Sequence, residues 1–112
     1  MSAIASPVKH QCALFKSSRK HFVKALEAYS EKKNAHGDLT AATETGEAGG
    51  DAELSGWLNN ATTSYDSSGT LDMGVLSTIE TRYNEYNRIC GWGLEDFDPS
   101  DPLKVPGGGG IS

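Results

Sequence analysis

The sequence predicts a small all-α protein: two long amphipathic helices packed antiparallel as a hairpin, a short third helix, and an extended C-terminal arm. Three observations predict it. Val8, Phe15, Phe22 and Tyr29 recur every seven residues. Leu76, Ile79, Tyr83, Tyr86 and Cys90 follow the 3–4–3–4 spacing of a buried helical stripe. From Gly91 onward, prolines, glycines and acidic residues exclude a central helix or strand. With 112 residues the chain has room for one domain. Residues 1–93 are expected to form it, and residues 94–112 the arm.

The first helix is expected over residues 7–34. Cys12 and Leu26 fill the offset positions of its heptad stripe, and Arg19 alone interrupts it. Ser6 followed by Pro7 reads as an N-cap and first helical residue, because the missing proline N–H costs nothing there. Gly37 is the expected stop, with Lys32 and Lys33 favourably placed near the negative end of the helix dipole. Residues 37–51 (GDLTAATETGEAGGD) are small, polar and glycine-rich, and read as a long loop. Residues 52–63 read as a short helix with Leu54, Trp57, Leu58 and Ala61 on one side. Asp51 is available to cap it, whereas Gly56 and the Thr62-Thr63-Ser64 run weaken it. Tyr65 to Gly69 reads as a turn. The last helix is expected over residues 71–90, with Glu80, Asn84, Asn87 and Arg88 away from its apolar stripe and Gly91 and Gly93 ending it.

Antiparallel packing of the long helices would bring Cys12 near Cys90. The expectation is that both are small apolar core residues, since two isolated cysteines are a sparse framework for a stapled secreted scaffold. A disulfide requires Cα atoms within roughly 7 Å. The N-terminal residues lack the apolar region of a secretory signal, so the expected location is cytoplasmic, or a virion if the protein is viral. No apolar run approaches the roughly 20 residues of a membrane-spanning helix.

Net charge is −5, unevenly distributed. Residues 1–36 hold seven basic and two acidic side chains, for +5; residues 37–112 hold three basic and thirteen acidic, for −10. Attraction between the halves is the plainer explanation, and a basic arm for nucleic acid the sharper one.

Chemistry is sparse. There is no Gly-x-Ser-x-Gly elbow, and Cys12 lies on the apolar stripe. His10 and His21 are three helical turns apart, too far to share a metal ion. Glu95, Asp96, Asp98 and Asp101 lack the glycine and closing glutamate of a calcium loop. The glycine runs at 46–50 and 107–110 lack the lysine and following helix of a phosphate loop. No catalytic, cofactor-binding or metal site is therefore expected, nor a small-molecule substrate or a membrane partner.

The aromatic side chains exceed what a two-helix seam can hide. Phe15, Phe22, Tyr29, Trp57, Tyr83, Tyr86, Trp92 and Phe97 are thus candidate contacts between subunits. The leading expectation is a non-enzymatic structural subunit of a homo-oligomer or larger protein assembly, of the connector or capsid-accessory type, with the arm lying along a neighbour. The second is a nucleic-acid-associated packaging or regulatory protein, with Lys9, Lys16, Arg19, Lys20 and Lys24 as phosphate contacts. The third is a small acidic inhibitor in which residues 37–101 mimic nucleic acid.

Overall fold

A computed structural model describes residues 7–106. Among them are four helices and no strand: α1 (Lys9–Ser30), α2 (His36–Ala48), α3 (Ala52–Ser68) and α4 (Met73–Ile89). The all-α expectation holds, with four helices where the sequence suggested three.

α1 buries Phe15, Ser18, Phe22, Ala25 and Leu26, the centre of the predicted stripe. Both of its ends differ from expectation. Pro7 lies outside the helix, Val8 is the N-cap, and its backbone N–H donates to Gln11 Oε1 at 3.0 Å; Ser6 lies outside the described residues. The helix stops at Ser30, not at Gly37. Lys32 N–H donates to the Tyr29 carbonyl and Lys33 N–H to the Ala28 carbonyl, a Schellman closure. The left-handed position of that motif is Lys32, with φ 60°.

The expected loop over 37–51 is instead mostly helical. Ala35, Leu39, Ala42, Gly46 and Gly49 are all buried, and their 4–3–4–3 spacing is that of a helix whose contact face is made of small side chains. Such a face gains little by hydrophobicity alone, but it lets backbones approach closely. A Cβ added at Gly49 would fall 2.5 Å from the Phe15 ring, and one at Gly46 would touch Ser18, Leu54 and Leu58. α2 thereby fills the space between α1 and α3. Tertiary packing overrides its poor local propensity.

Asp51 caps α3 as expected, its Oδ1 accepting from Leu54 N–H at 3.0 Å. α3 runs to Ser68, beyond the predicted end at 63, because Ala61 and Thr62 are buried and Gly69 closes it in a left-handed conformation. α4 begins after Asp72, whose side chain accepts from Gly74 and Val75 N–H. Successive contacts between Cys12 and Cys90, Phe15 and Tyr86, and Phe22 and Tyr83 run in opposite senses along α1 and α4.

Cys12 and Cys90 form a disulfide, with Cα atoms 5.8 Å apart. This corrects the expectation of two reduced core thiols: the facing helix ends bring the half-buried pair within bonding reach. The C-terminal segment also departs from the extended arm. Residues 94–105 fold back over α4 and α1 of the same chain, held through Asn84, Asn87 and Arg19. Residues 107–112, the rest of the predicted arm, lie outside the described residues.

Candidate functional site

The aromatic candidates for subunit contacts are consumed by the chain's own core. Phe15, Phe22, Tyr83, Tyr86 and Phe97 are buried, and Tyr29, Trp57 and Trp92 pack partly buried against them. Phe15 stacks on Tyr86 with ring centres 4.1 Å apart, and Phe97 meets Phe22 edge-on at 5.5 Å. Tyr29 meets Tyr65 edge-on. The sequence estimate of a surplus failed because it counted two helix faces as cover. α2, α3 and the returning segment supply the rest. Val8, Met73 and Ile89 are the large apolar side chains left exposed among the described residues.

The five candidate phosphate contacts divide into two groups. Lys9, Lys16, Lys20 and Lys24 are exposed. At 100° per residue they fall within about 80° of the α1 circumference, and 15 residues of rise spread them over roughly 22 Å. No ion pair engages any of the four among the described residues. Arg19 is committed elsewhere: its Nη2 donates to the Glu95 carbonyl at 2.7 Å and its guanidinium lies 4.6 Å from the centre of the Phe97 ring. Burial lowers its pKa below the ordinary arginine value, though Tyr83, Asp96 and Glu95 act in the other direction.

Lys32 and Lys104 are likewise exposed without an ion pair among the described residues, and the other three cations are engaged. Lys33 pairs with Glu31 at 3.1 Å and Arg88 lies 3.8 Å from Asp96. Arg82 is the hub of a buried cluster that joins α4 to the start of α3. Its Nη1 donates to Asp51 Oδ2, its Nη2 to Glu53 at 2.9 Å, and its Nε lies 3.5 Å from Glu85. Tyr86 donates to the same Asp51 oxygen, and the Arg82 guanidinium covers the Trp57 ring at 4.8 Å. Burial pushes Asp51 upward, but the Tyr86 hydroxyl, Leu54 N–H and Arg82 outweigh it and leave its carboxyl below the ordinary range. Burial likewise pulls Arg82 down, and Glu53 and Asp51 more than restore it. The satisfied geometry of this cluster is that of a structural clamp. Only its capping residue was visible in the sequence.

Two of the histidines lie beside carboxylates, His21 with Asp38 at 3.2 Å and His36 with Asp66 at 3.0 Å. Among the described residues no three His, Cys, Asp or Glu side chains converge at metal-binding spacing. A shallow cleft lies between the ends of α1 and α3, lined by Tyr29, Ser30, Lys32, Lys33, Tyr65 and Gly69.

Glu80 and Asn87 do not lie on an open face. Both are buried, and Asn84 is half-buried, because residues 94–102 cover that side of α4. The sequence reading placed them outside the apolar stripe correctly but had no means of seeing the cover.

Among the described residues these features define a small, disulfide-closed bundle of four helices with a cationic face on the first. No family model, curated protein or solved structure matches the chain.

Proposed function

We propose that the chain is a non-enzymatic nucleic-acid-binding accessory protein that holds a phosphate backbone on the lysine face of α1. The observation that carries this reading is the contrast among its cations. Arg19, Lys33, Arg82 and Arg88 are engaged by the protein itself and Lys32 and Lys104 stand singly, whereas Lys9, Lys16, Lys20 and Lys24 form one exposed row with no ion-pair partner among the described residues. The four lysines share their face with one acid, Glu27, which leaves a net charge of +3 there; a polyanion relieves the repulsion among them by displacing its own counterions. The remainder of the chain is acidic, which orients the molecule with α1 toward the polyanion and keeps other faces away. Lysines on a helix surface read charge rather than bases, so binding is insensitive to sequence.

The alternative of a structural assembly subunit has lost its main support, the spare aromatic side chains. The disulfide favours an oxidising setting over the reducing cytoplasm.

Fluorescence anisotropy with a labelled 20-base-pair duplex, titrated at several salt concentrations, tests the proposal. Four phosphate contacts give a log–log salt slope of about −3.6, and Lys16→Gln/Lys20→Gln/Lys24→Gln reduces it to about −0.9. Absence of binding at low salt, or a triple variant that binds like the wild type, overturns it.

A further inference from the structure

Glu80 stands apart from every other buried polar side chain. Ser18, Asp51, Ser55, Thr62, Arg82 and Asn87 each make a hydrogen bond. Glu80 is 0% exposed, and neither of its carboxyl oxygens has a hydrogen-bond partner among the described residues. Such a group is costly to bury as an anion and much cheaper as a neutral acid.

Its cover is the returning C-terminal segment. Asn84, one turn beyond Glu80 on α4, donates to the Phe97 carbonyl at 3.0 Å and accepts from Phe97 N–H at 2.8 Å. Asn87 clasps Leu94 in the same two-way manner. Phe97 packs on both Phe22 and Tyr83, which also touch each other. The charges that act on Glu80 are Asp98 and Asp101, both carried by this segment and both negative. Burial first, and then these two carboxylates, push its acid up to about 8. The other charged groups facing the segment are Arg19 from α1 and Arg88 from α4, and arginines do not titrate in this range. Tyr83, beside Phe97, is held neutral by burial.

The segment is also built to pivot. Its root is fixed, because Cys90 is tied to Cys12. Gly91 and Gly93 follow at once with φ of 66° and 70°, a left-handed conformation that glycine enters and leaves without penalty. Beyond them the hold consists of the Asn84 and Asn87 clasps, the second also reaching Asp96, the Arg19 contacts with the Glu95 carbonyl and the Phe97 ring, a long Arg88–Asp96 ion pair, the packing of Phe97, Leu103 and Val105 against the core, and buried Pro102.

We propose that residues 94–105 form a hinged strap that closes over the neutral carboxyl of Glu80 and lifts when that carboxyl gives its proton to solvent. Lifting uncovers the Phe22–Tyr83 floor and frees Arg19, which sits between Lys16 and Lys20 in sequence. The device stands independently of what α1 binds.

The direction follows from linkage. Closed, the acid titrates near 8; open, it returns to its ordinary value of 4.5. Below both values the protonated acid favours neither form. Between them the open form gives up its proton first, so the closed-to-open ratio falls tenfold per pH unit, about 3,000-fold across the window, and levels off above it.

Amide hydrogen exchange of the intact oxidised chain at pH 5, 6, 7 and 8, corrected for intrinsic rates, reads this ratio. Protection of the Leu94 and Phe97 amides should stay below that of Phe22 and Leu26 in α1 at every pH. It should also fall about tenfold per unit as the pH rises. In Glu80→Gln the fall disappears; Glu80→Leu, which needs no polar partner, should behave the same and guards against a misfolded glutamine variant. A pH-independent Phe97 amide in the wild type overturns the proposal. So does an undiminished slope in either variant, or Phe97 protection equal to that of Phe22 throughout, which would mean that the segment opens only by global unfolding.

Discussion

Replacing Asp51 by alanine removes three interactions at once, and the structure separates their worth. Oδ1 accepts from Leu54 N–H and caps α3, while Oδ2 receives both Arg82 and Tyr86. Loss of an N-cap costs about 1 kcal/mol. Removing one partner of a buried ion pair costs about 3–5 kcal/mol. Here the lower end applies, because Glu53 at 2.9 Å and Glu85 at 3.5 Å still attend Arg82. Asp51→Ala should therefore destabilise the protein by about 4 kcal/mol. Asp51→Asn keeps an oxygen for the cap but turns an amide N–H toward two donors, and should lose about 3 kcal/mol. Urea unfolding followed by far-UV circular dichroism at pH 7, with the disulfide intact, measures both. In a double-mutant cycle with Arg82→Met, the coupling should be about 2 kcal/mol. The pH dependence has a fixed sign. Because the folded carboxyl is held below its unfolded value of 3.8, its stabilisation is present above that value and is lost as the pH falls through the folded one. Losses under about 1.5 kcal/mol for both variants would refute the clamp, since that is no more than a cap is worth.

Two further outcomes follow from the chain's closures. The Cys12–Cys90 bond spans 78 residues of sequence, for which loop-closure entropy gives about 4.5 kcal/mol; Cys12→Ala/Cys90→Ala should lose most of this in urea unfolding, with the helical spectrum retained in the absence of denaturant. Lys32 occupies the left-handed position that glycine usually fills in a Schellman motif, and its side chain is exposed. Lys32→Gly should therefore raise stability by about 0.5–1 kcal/mol, read as an increased urea midpoint with an unchanged slope.

The legible parts of this fold were those in which large apolar side chains mark the period. Phe15, Phe22 and Leu26 announce α1, and Leu76, Ile79, Tyr83 and Tyr86 announce α4, because one face of each helix must leave water. α2 was missed for a physical reason, not for want of a pattern. Ala35, Leu39, Ala42, Gly46 and Gly49 keep a strict helical spacing, but a stripe of small residues carries little hydrophobic signal. Its stabilisation comes from close approach, and the close approach exists only once Phe15, Leu54 and Leu58 are in place. Lys32 hid the end of α1 in a similar way, by taking a backbone conformation that composition assigns to glycine.

The candidate site was legible to the extent that it consists of exposed charge. The spacing of Lys9, Lys16, Lys20 and Lys24 already set them on one face and put Arg19 on the apolar stripe; the fold showed what engages Arg19 there, the Glu95 carbonyl and the Phe97 ring. Glu80 was illegible for a deeper reason. On a helical wheel it lies off the apolar stripe, where a glutamate is normally solvated, and the residues that cover it belong to a segment whose prolines and acids read as an open arm. The burial of Phe97 draws that segment inward, and its carboxylates arrive with it over a carboxyl that has no donor. An apolar anchor and an electrostatic mismatch are thus carried on the same stretch of chain. The anchor closes the strap, and the mismatch sets the conditions under which closure holds. Removing the anchor with Phe97→Ala and removing the mismatch with Glu80→Gln should therefore move Leu94 protection in opposite directions at pH 8. If both variants weakened it, the two features would not be opposed.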